Sequence, residues 1–195
     1  MQTDEKWQQF SERMAYEGAL HVAIEPFEAT LDAVAHCNER SLHVLRTLAS
    51  LDERRQENGS EVDDPIMLEL QRMDSKINVL LDIVDRLLMP VSLLPARHVV
   101  RFNAVGVSVP ENLLPPGDSL LVRLHFDTCR ALALELPAKR GRPSGDLHAF
   151  VYFCELSELV EDGLERFVFC HHRRKVAEAR MTAAIENVSD SKRGM

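Results

Sequence analysis

The side chains in this sequence that could do chemistry are clustered arginines, neighbouring histidines and scattered cysteines, and their spacing limits each of them. Ala138-Lys139-Arg140-Gly141-Arg142-Pro143-Ser144-Gly145 holds an Arg-Gly-Arg-Pro core, the arrangement by which extended arginines enter a narrow minor groove. The core occurs once, in a chain of formal charge −8, between two strand-like stretches where a Gly-Pro-Ser-Gly connection is the simpler reading. Nucleic acid is therefore not expected as a partner. Cys170, His171 and His172 are adjacent on a helical stretch, where neighbouring side chains diverge by ~100° and do not face one ion. His36 and His43 share a stripe but lie ~10 Å apart along the axis, at ~1.5 Å per residue. No metal site is expected. The chain carries no phosphate-binding glycine loop, nucleophile elbow or zinc-binding helix motif. Its acid pairs Asp63-Asp64 and Glu161-Asp162 fall at helix starts, where the helix dipole accounts for them. No catalytic residue is assigned, and an enzyme is not expected.

The elements that must position these groups begin with a soluble composition. In 195 residues, 45% are hydrophobic and 28% charged, enough for one generous domain or a domain with an appendage. No stretch reaches the ~18 apolar residues that span a bilayer, so no membrane insertion is expected. The N-terminal MQTDEKWQQFSER lacks the apolar run and small-residue cleavage site of a signal peptide. Cys37, Cys129, Cys154 and Cys170 lack the paired short spacings of zinc sites or disulfide frameworks and read as reduced, mostly buried thiols. A cytoplasmic protein is the expectation. Residues 26–89 hold 13 acidic against 7 basic residues, so most of the net negative charge belongs to one segment.

That segment has a helical period. From Pro26, read as the first helical residue, to about Glu57, positions 27, 31, 34, 38, 41, 45 and 48 alternate by four and three, the spacing of a coiled-coil seam. Asn38 and Ser41 interrupt it. An asparagine buried there would need a partner amide and would fix register, whereas the same polar break is also compatible with an exposed face. After a turn, Asp64-Pro65 opens a second helix whose seam is Ile66, Leu70, Met73, Ile77, Leu80, Val84 and Leu87, unbroken until Pro90. Leu81, Ile83 and Leu88 widen the stripe, so this helix needs the preceding helix, other copies of itself, or both. Self-association is favoured because a bare hairpin ~45 Å long, at ~1.5 Å per residue, would leave one apolar side in water.

Elsewhere the period is two. Leu20, Val22 and Ile24 alternate with polar or small residues before the helices. After Pro90, Val99 to Val109, Leu120–Phe126, Ala131–Pro137 and Leu147–Leu156 read as strands between turn-prone stretches. A closing helix starts near Ser157 with Leu164, Phe167, Val168 and Val176 on its apolar face, and a polar, frayed tail is expected over 187–195. The expected fold is α+β: a small antiparallel barrel from residues 11–25 and 90–186, interrupted by a helical insertion over 26–89.

Arg101-Phe102-Asn103-Ala104-Val105-Gly106, the following Pro-Gly turn with Asp118, and the C-terminal Leu156-Ser157-Glu158 before Leu164-Glu165-Arg166-Phe167-Val168 give the chain its family likeness. It resembles the PilZ domain. The resemblance implies a six-stranded barrel with a C-terminal helix, whose usual members bind cyclic di-GMP through an R-x-x-x-R segment and a [D/N]-x-S-x-x-G motif. Two arginines suit phosphate and guanine edges, and a glycine admits backbone close to the ligand. Here Arg101 stands for the acid, Asn103 for the serine, and Gly106 alone matches. Arg13 fits the first arginine, but Glu17 occupies the place of the second and would repel a dianion. A literal R-x-x-x-R runs from Arg97 to Arg101, without the strand that should follow it.

With its heptad insertion, the whole chain resembles the atypical tetrameric PilZ proteins of plant-pathogenic bacteria, whose long helices build a four-stranded coiled coil. The resemblance supplies the tetramer, since the mixed Leu, Ile, Val and Met of the seam leave the number open. It implies a non-enzymatic scaffold in motility, type IV pilus or virulence regulation. Such a scaffold would act on an unidentified signalling protein, without a cofactor and with cyclic di-GMP binding lost or weak. The alternative is a cyclic di-GMP effector using Arg13, Arg97 or Arg101.

Overall fold

In the computed structural model, which describes residues 2–57, 65–145 and 147–193, the period-two segments form six strands. These are β1 (Tyr16–Pro26), β2 (Arg97–Phe102), β3 (Gly106–Pro110), β4 (Ser119–Phe126), β5 (Cys129–Pro143) and β6 (His148–Phe153). All pair antiparallel and close a barrel in the order β1-β2-β3-β6-β5-β4. Two long strands close it by changing neighbours. β1 pairs with β2 from Tyr16 to His21 and with β4 from His21 to Pro26. β5 pairs with β4 as far as Lys139 and with β6 from Ala138 onward. Irregularities between Leu124 and Phe126 and between Arg140 and Pro143 bend the sheet at these hand-overs, so no edge is left open. The interior is filled by alternate residues, among them Val22, Val100, Phe102, Val107, Val109, Leu120, Val122, Leu124, Leu134 and Leu136.

The extended run read from Val99 to Val109 divides into β2 and β3 at a turn made by Asn103. The Asn103 side-chain oxygen accepts from Val105 N–H at 2.9 Å, and Asn103 N–H donates to the Gly106 carbonyl at 3.0 Å. An asparagine that mimics a turn in this way interrupts an otherwise strand-like sequence.

Among the described residues, four α-helices accompany the barrel: α1 (Gln2–Glu12), α2 (Leu31–Glu57), α3 (Pro65–Leu88) and α4 (Glu158–Arg193). In chain order α2 and α3 lie between β1 and β2, which are sheet neighbours. Pro26 is not the first helical residue; it ends β1 opposite Leu120, and Phe27 N–H continues the ladder by donating to the Ser119 carbonyl at 3.1 Å. The helix begins after Thr30, whose hydroxyl accepts from Ala33 N–H at 3.3 Å. Phe27 is therefore outside the helical seam, and Leu31 is 92% exposed. α4 runs on through Asn187 to Arg193, where the sequence suggested a frayed tail.

α2 packs on the barrel, not in a free coiled coil. Val44, Leu45 and Leu48 join the barrel core together with Val160, Leu164 and Val168 of α4. The polar break in its stripe is satisfied within the chain. The Asn38 amide donates to the Val34 carbonyl at 3.0 Å and the Glu155 carbonyl at 2.9 Å, and its oxygen accepts from Ser157 N–H at 2.7 Å. Ser41, fully buried, donates to the Glu135 carbonyl at 2.6 Å and accepts from Glu135 N–H at 3.0 Å. Asn38 thus fixes α2 against the start of α4, and no second copy is needed to pair its amide. Asn38→Ala is expected to lower stability by ~2 kcal/mol, because it strands a carbonyl and an N–H at that junction; urea unfolding with an unchanged m-value is the check.

α3 is different. Leu70, Met73, Ile77, Leu80, Val84 and Leu87 are all between 48% and 75% exposed, and the Ile66 side chain lies outside the described residues. Asp85 attaches it to the barrel: its carboxylate accepts from Arg130 N–H at 3.0 Å and Ala131 N–H at 2.7 Å on β5. A single carboxylate gripping two successive backbone donors fixes one end of the helix while leaving its apolar seam in water.

Candidate functional site

The residues singled out at the glycine motif meet under α1. Trp7 and Phe10, one helical turn apart, place Phe10 at zero exposure against Val105 and Phe150, with ring centroids 4.8 Å apart for Phe10 and Phe150 and 5.2 Å for Trp7 and Phe150. The Asn103 amide, buried in the turn between β2 and β3, donates to the Phe10 carbonyl at 3.0 Å. Arg101 lies with its guanidinium 4.9 Å from the centre of the Phe10 ring, donates to the Ser11 carbonyl at 3.3 Å, and stands 3.5 Å from the Glu17 carboxylate across β1 and β2. The guanidinium is thus stacked on an aromatic ring beside an acid, while its Nε is buried without a hydrogen-bond partner.

Gly106 serves the sheet. A Cβ built there would sit 2.4 Å from the Val151 carbonyl oxygen and 2.7 Å from the Phe150 ring, so the glycine lets β3 approach β6 closely. Asn103 and Gly106 are therefore held by the turn and the strand pairing, and the glycine's usual role of admitting a ligand is filled by protein.

The other arginines are dispersed. Arg97 donates to the Ala19 carbonyl at 3.1 Å and to the Asp127 carboxylate, on the β1–β2 face. Arg13 pairs with Glu165 of α4 at 2.9 Å. Arg97 and Arg101 of β2 thus have separate partners, Arg97 on Asp127 and Arg101 on Glu17 and Phe10. The arginines of the Arg-Gly-Arg-Pro core are also occupied. Arg140 donates to the carbonyls of Pro115 and Gly117, and Arg142 pairs with Asp4 at 3.2 Å beside the Trp7 ring. This core lies within strand β5, not in a connection between strands as its turn-prone residues suggested.

Two features were not read from the sequence. The first is α1 itself, for which Trp7 and Phe10 in a charged segment were the available signal. The second is an aromatic stack at the barrel mouth, where Tyr16 lies 4.9 Å from Phe102, 6.1 Å from Phe167 and 4.3 Å from His171. Burial pushes the Tyr16 hydroxyl up from its ordinary value, with Asp127 adding to the rise. Burial likewise raises the thiols of Cys37, Cys129 and Cys154, all free, which keeps them protonated and unreactive at neutral pH.

Between the α1–β1 junction and α4 runs a groove of about 610 Å³, bordered by Arg13, Met14, Ala104, Arg166, Val168 and Phe169, with Asp162 and Glu165 also on its walls. Two acids against two arginines give it no net cationic character. Among the described residues, no helix is long and apolar enough to cross a membrane.

The comparisons with known proteins agree with this architecture. A comparison with curated protein sequences finds no match. Among solved structures, the chain is similar to a pathogenic protein from Xanthomonas campestris, described as a new tetrameric PilZ domain self-assembled via an unusual helical bundle. The TM-score is 0.66 at 23% identity, over 89% of this chain and 97% of that one, and the likeness is one of fold. Residues 45–181 match the family described as atypical PilZ domain, cyclic di-GMP receptor. With a six-stranded closed barrel, a packed C-terminal helix and a family match over most of its length, this chain belongs to the atypical PilZ domain family.

Proposed function

We propose that the protein is a cytoplasmic, non-enzymatic PilZ-type signalling scaffold that self-associates through α3, as a tetramer, and acts through protein contacts. The observation that carries this reading is the seam of α3: a regular four-three series of large apolar side chains, from Leu70 to Leu87 between 48% and 75% exposed, on a helix tethered by Asp85. A contiguous apolar stripe of this kind is what an obligate interface buries. The tetrameric bundle described for the Xanthomonas campestris protein supports the assembly number. The four free thiols suit a reducing compartment.

Cyclic di-GMP binding at the glycine motif is lost or weak on this reading. Asn103 and Arg101 are engaged by α1, Glu17 stands beside Arg101, and Gly106 is filled against β6. The family description supports a second reading, a cyclic di-GMP effector, in which Arg13, Arg97 or Arg101 would contact the dinucleotide. Titration calorimetry decides between them. No heat is expected at micromolar dinucleotide, whereas micromolar binding abolished by Arg13→Ala or Arg101→Ala would replace the first reading with the second.

A further inference from the structure

The helix α4 carries a feature that neither the barrel nor the α3 seam uses. Residues 166–177 contain four Lys and Arg and no Asp or Glu, in a chain of net charge −8. Within and just beyond that run, Arg166, Phe169, Arg173, Val176 and Arg180 repeat at three and four, so they form one stripe along the helix. All five are exposed; Phe169, a large aromatic, is 51% exposed, and Arg173 lies 5.9 Å from the centre of its ring. The buried face of α4 is a different one, Val160, Leu164 and Val168. At its N-terminal end the stripe opens into the groove beside Met14, itself 44% exposed.

We infer that this stripe and groove form a docking surface for an acidic amphipathic helix of a partner protein. The inference rests on the reading that the chain works through protein contacts. Its chemistry is that of a helix laid in a groove: apolar anchors beside Phe169 and Met14, and carboxylates against Arg173 and Arg180. The local charge also orients the partner. The groove end holds Asp162 and the Glu165 paired with Arg13, so the partner's apolar anchors belong there and its acidic residues toward Arg180. A second copy is a poor occupant, since two such stripes side by side would set arginine against arginine. A flat anionic bilayer would not fill a concave groove.

The test uses the full chain and a fluorescein-labelled helical peptide of about 18 residues, with leucine on one face and glutamate on the flanks. Its controls are the lysine-for-glutamate peptide and phosphatidylglycerol vesicles. Anisotropy is expected to report binding of the acidic peptide alone, weakening as salt rises from ~50 to ~300 mM. Arg173→Glu and Phe169→Ala are each expected to weaken it about tenfold or more. Peptide affinity indifferent to both changes, or vesicles bound in preference to the peptide, would overturn the inference. Light scattering on the same two variants is expected to give an unchanged mass. A fall in mass would assign the stripe to self-association and overturn the inference as well. Failure of the scaffold reading shows elsewhere, as a single-chain mass for the unaltered protein or as binding of cyclic di-GMP.

Discussion

Ile77→Glu combined with Leu80→Glu is expected to reduce the solution mass to that of a single chain and to leave the barrel folded. Both side chains lie on the exposed seam of α3, at 48% and 61% exposure, and neither belongs to the barrel core. In the isolated chain the carboxylates would meet water and cost little. In an assembled bundle each would be an unpaired charge taken out of water, a penalty of ~3–5 kcal/mol per site and repeated in every subunit. Light scattering reads the mass, and circular dichroism of the sheet reads the barrel. Assembly that survives both substitutions would remove α3 as the interface. A double variant that unfolds altogether would mean that α3 is ordinary core for its own barrel.

The second large effect is expected from Gly106→Ala, which should destabilise the barrel by ~3 kcal/mol without altering the assembly number. The added methyl would meet the Val151 carbonyl oxygen at 2.4 Å, and a strand start already paired to β6 in a closed barrel has little room to withdraw. β3 and β6 would have to part, opening the pairs from Gly106↔Tyr152 onward. Urea unfolding checks the loss. A ligand role alone would give a different result, unchanged stability in the absence of ligand, so the same variant separates a structural glycine from a binding one.

Gly106 shows where the sequence was legible and where it was not. Its position in a motif could be read, but its use could not. The same backbone freedom serves a ligand or a neighbouring strand, and only the strand across the barrel reveals which. Periodicity located the strands and the long helices well, because alternation and four-three spacing record burial directly. It misplaced the start of α2, since Pro26 fits the end of a strand as readily as the first turn of a helix. It also gave α2 and α3 the same seam when their fates differ. Asn38 and Ser41 are bonded to the backbone of Glu155, Ser157 and Glu135, far away in sequence, so nothing local could assign that face to the barrel. The arginines illustrate the same limit. Arg97 and Arg101 are correctly spaced for a clamp, yet Asp127 claims one and Glu17 and Phe10 the other. The groove under α4 needed Arg13 and Phe169 to be brought together from opposite ends of the chain.

The placement of α2 and α3 between two sheet neighbours has a consequence for the order in which the molecule is made. During synthesis β1 emerges first, but its partners are β2 and β4, which begin only at Arg97 and Ser119. Both long helices leave the ribosome in that interval. β1 must therefore wait, unpaired, while α3 is already complete, and the late, distant pairings that close the barrel are of the kind that form slowly. On the proposed self-association through α3, neighbouring nascent chains on one message would have these helices available to each other before any of them owns a finished barrel, and subunits translated together would associate in the course of synthesis.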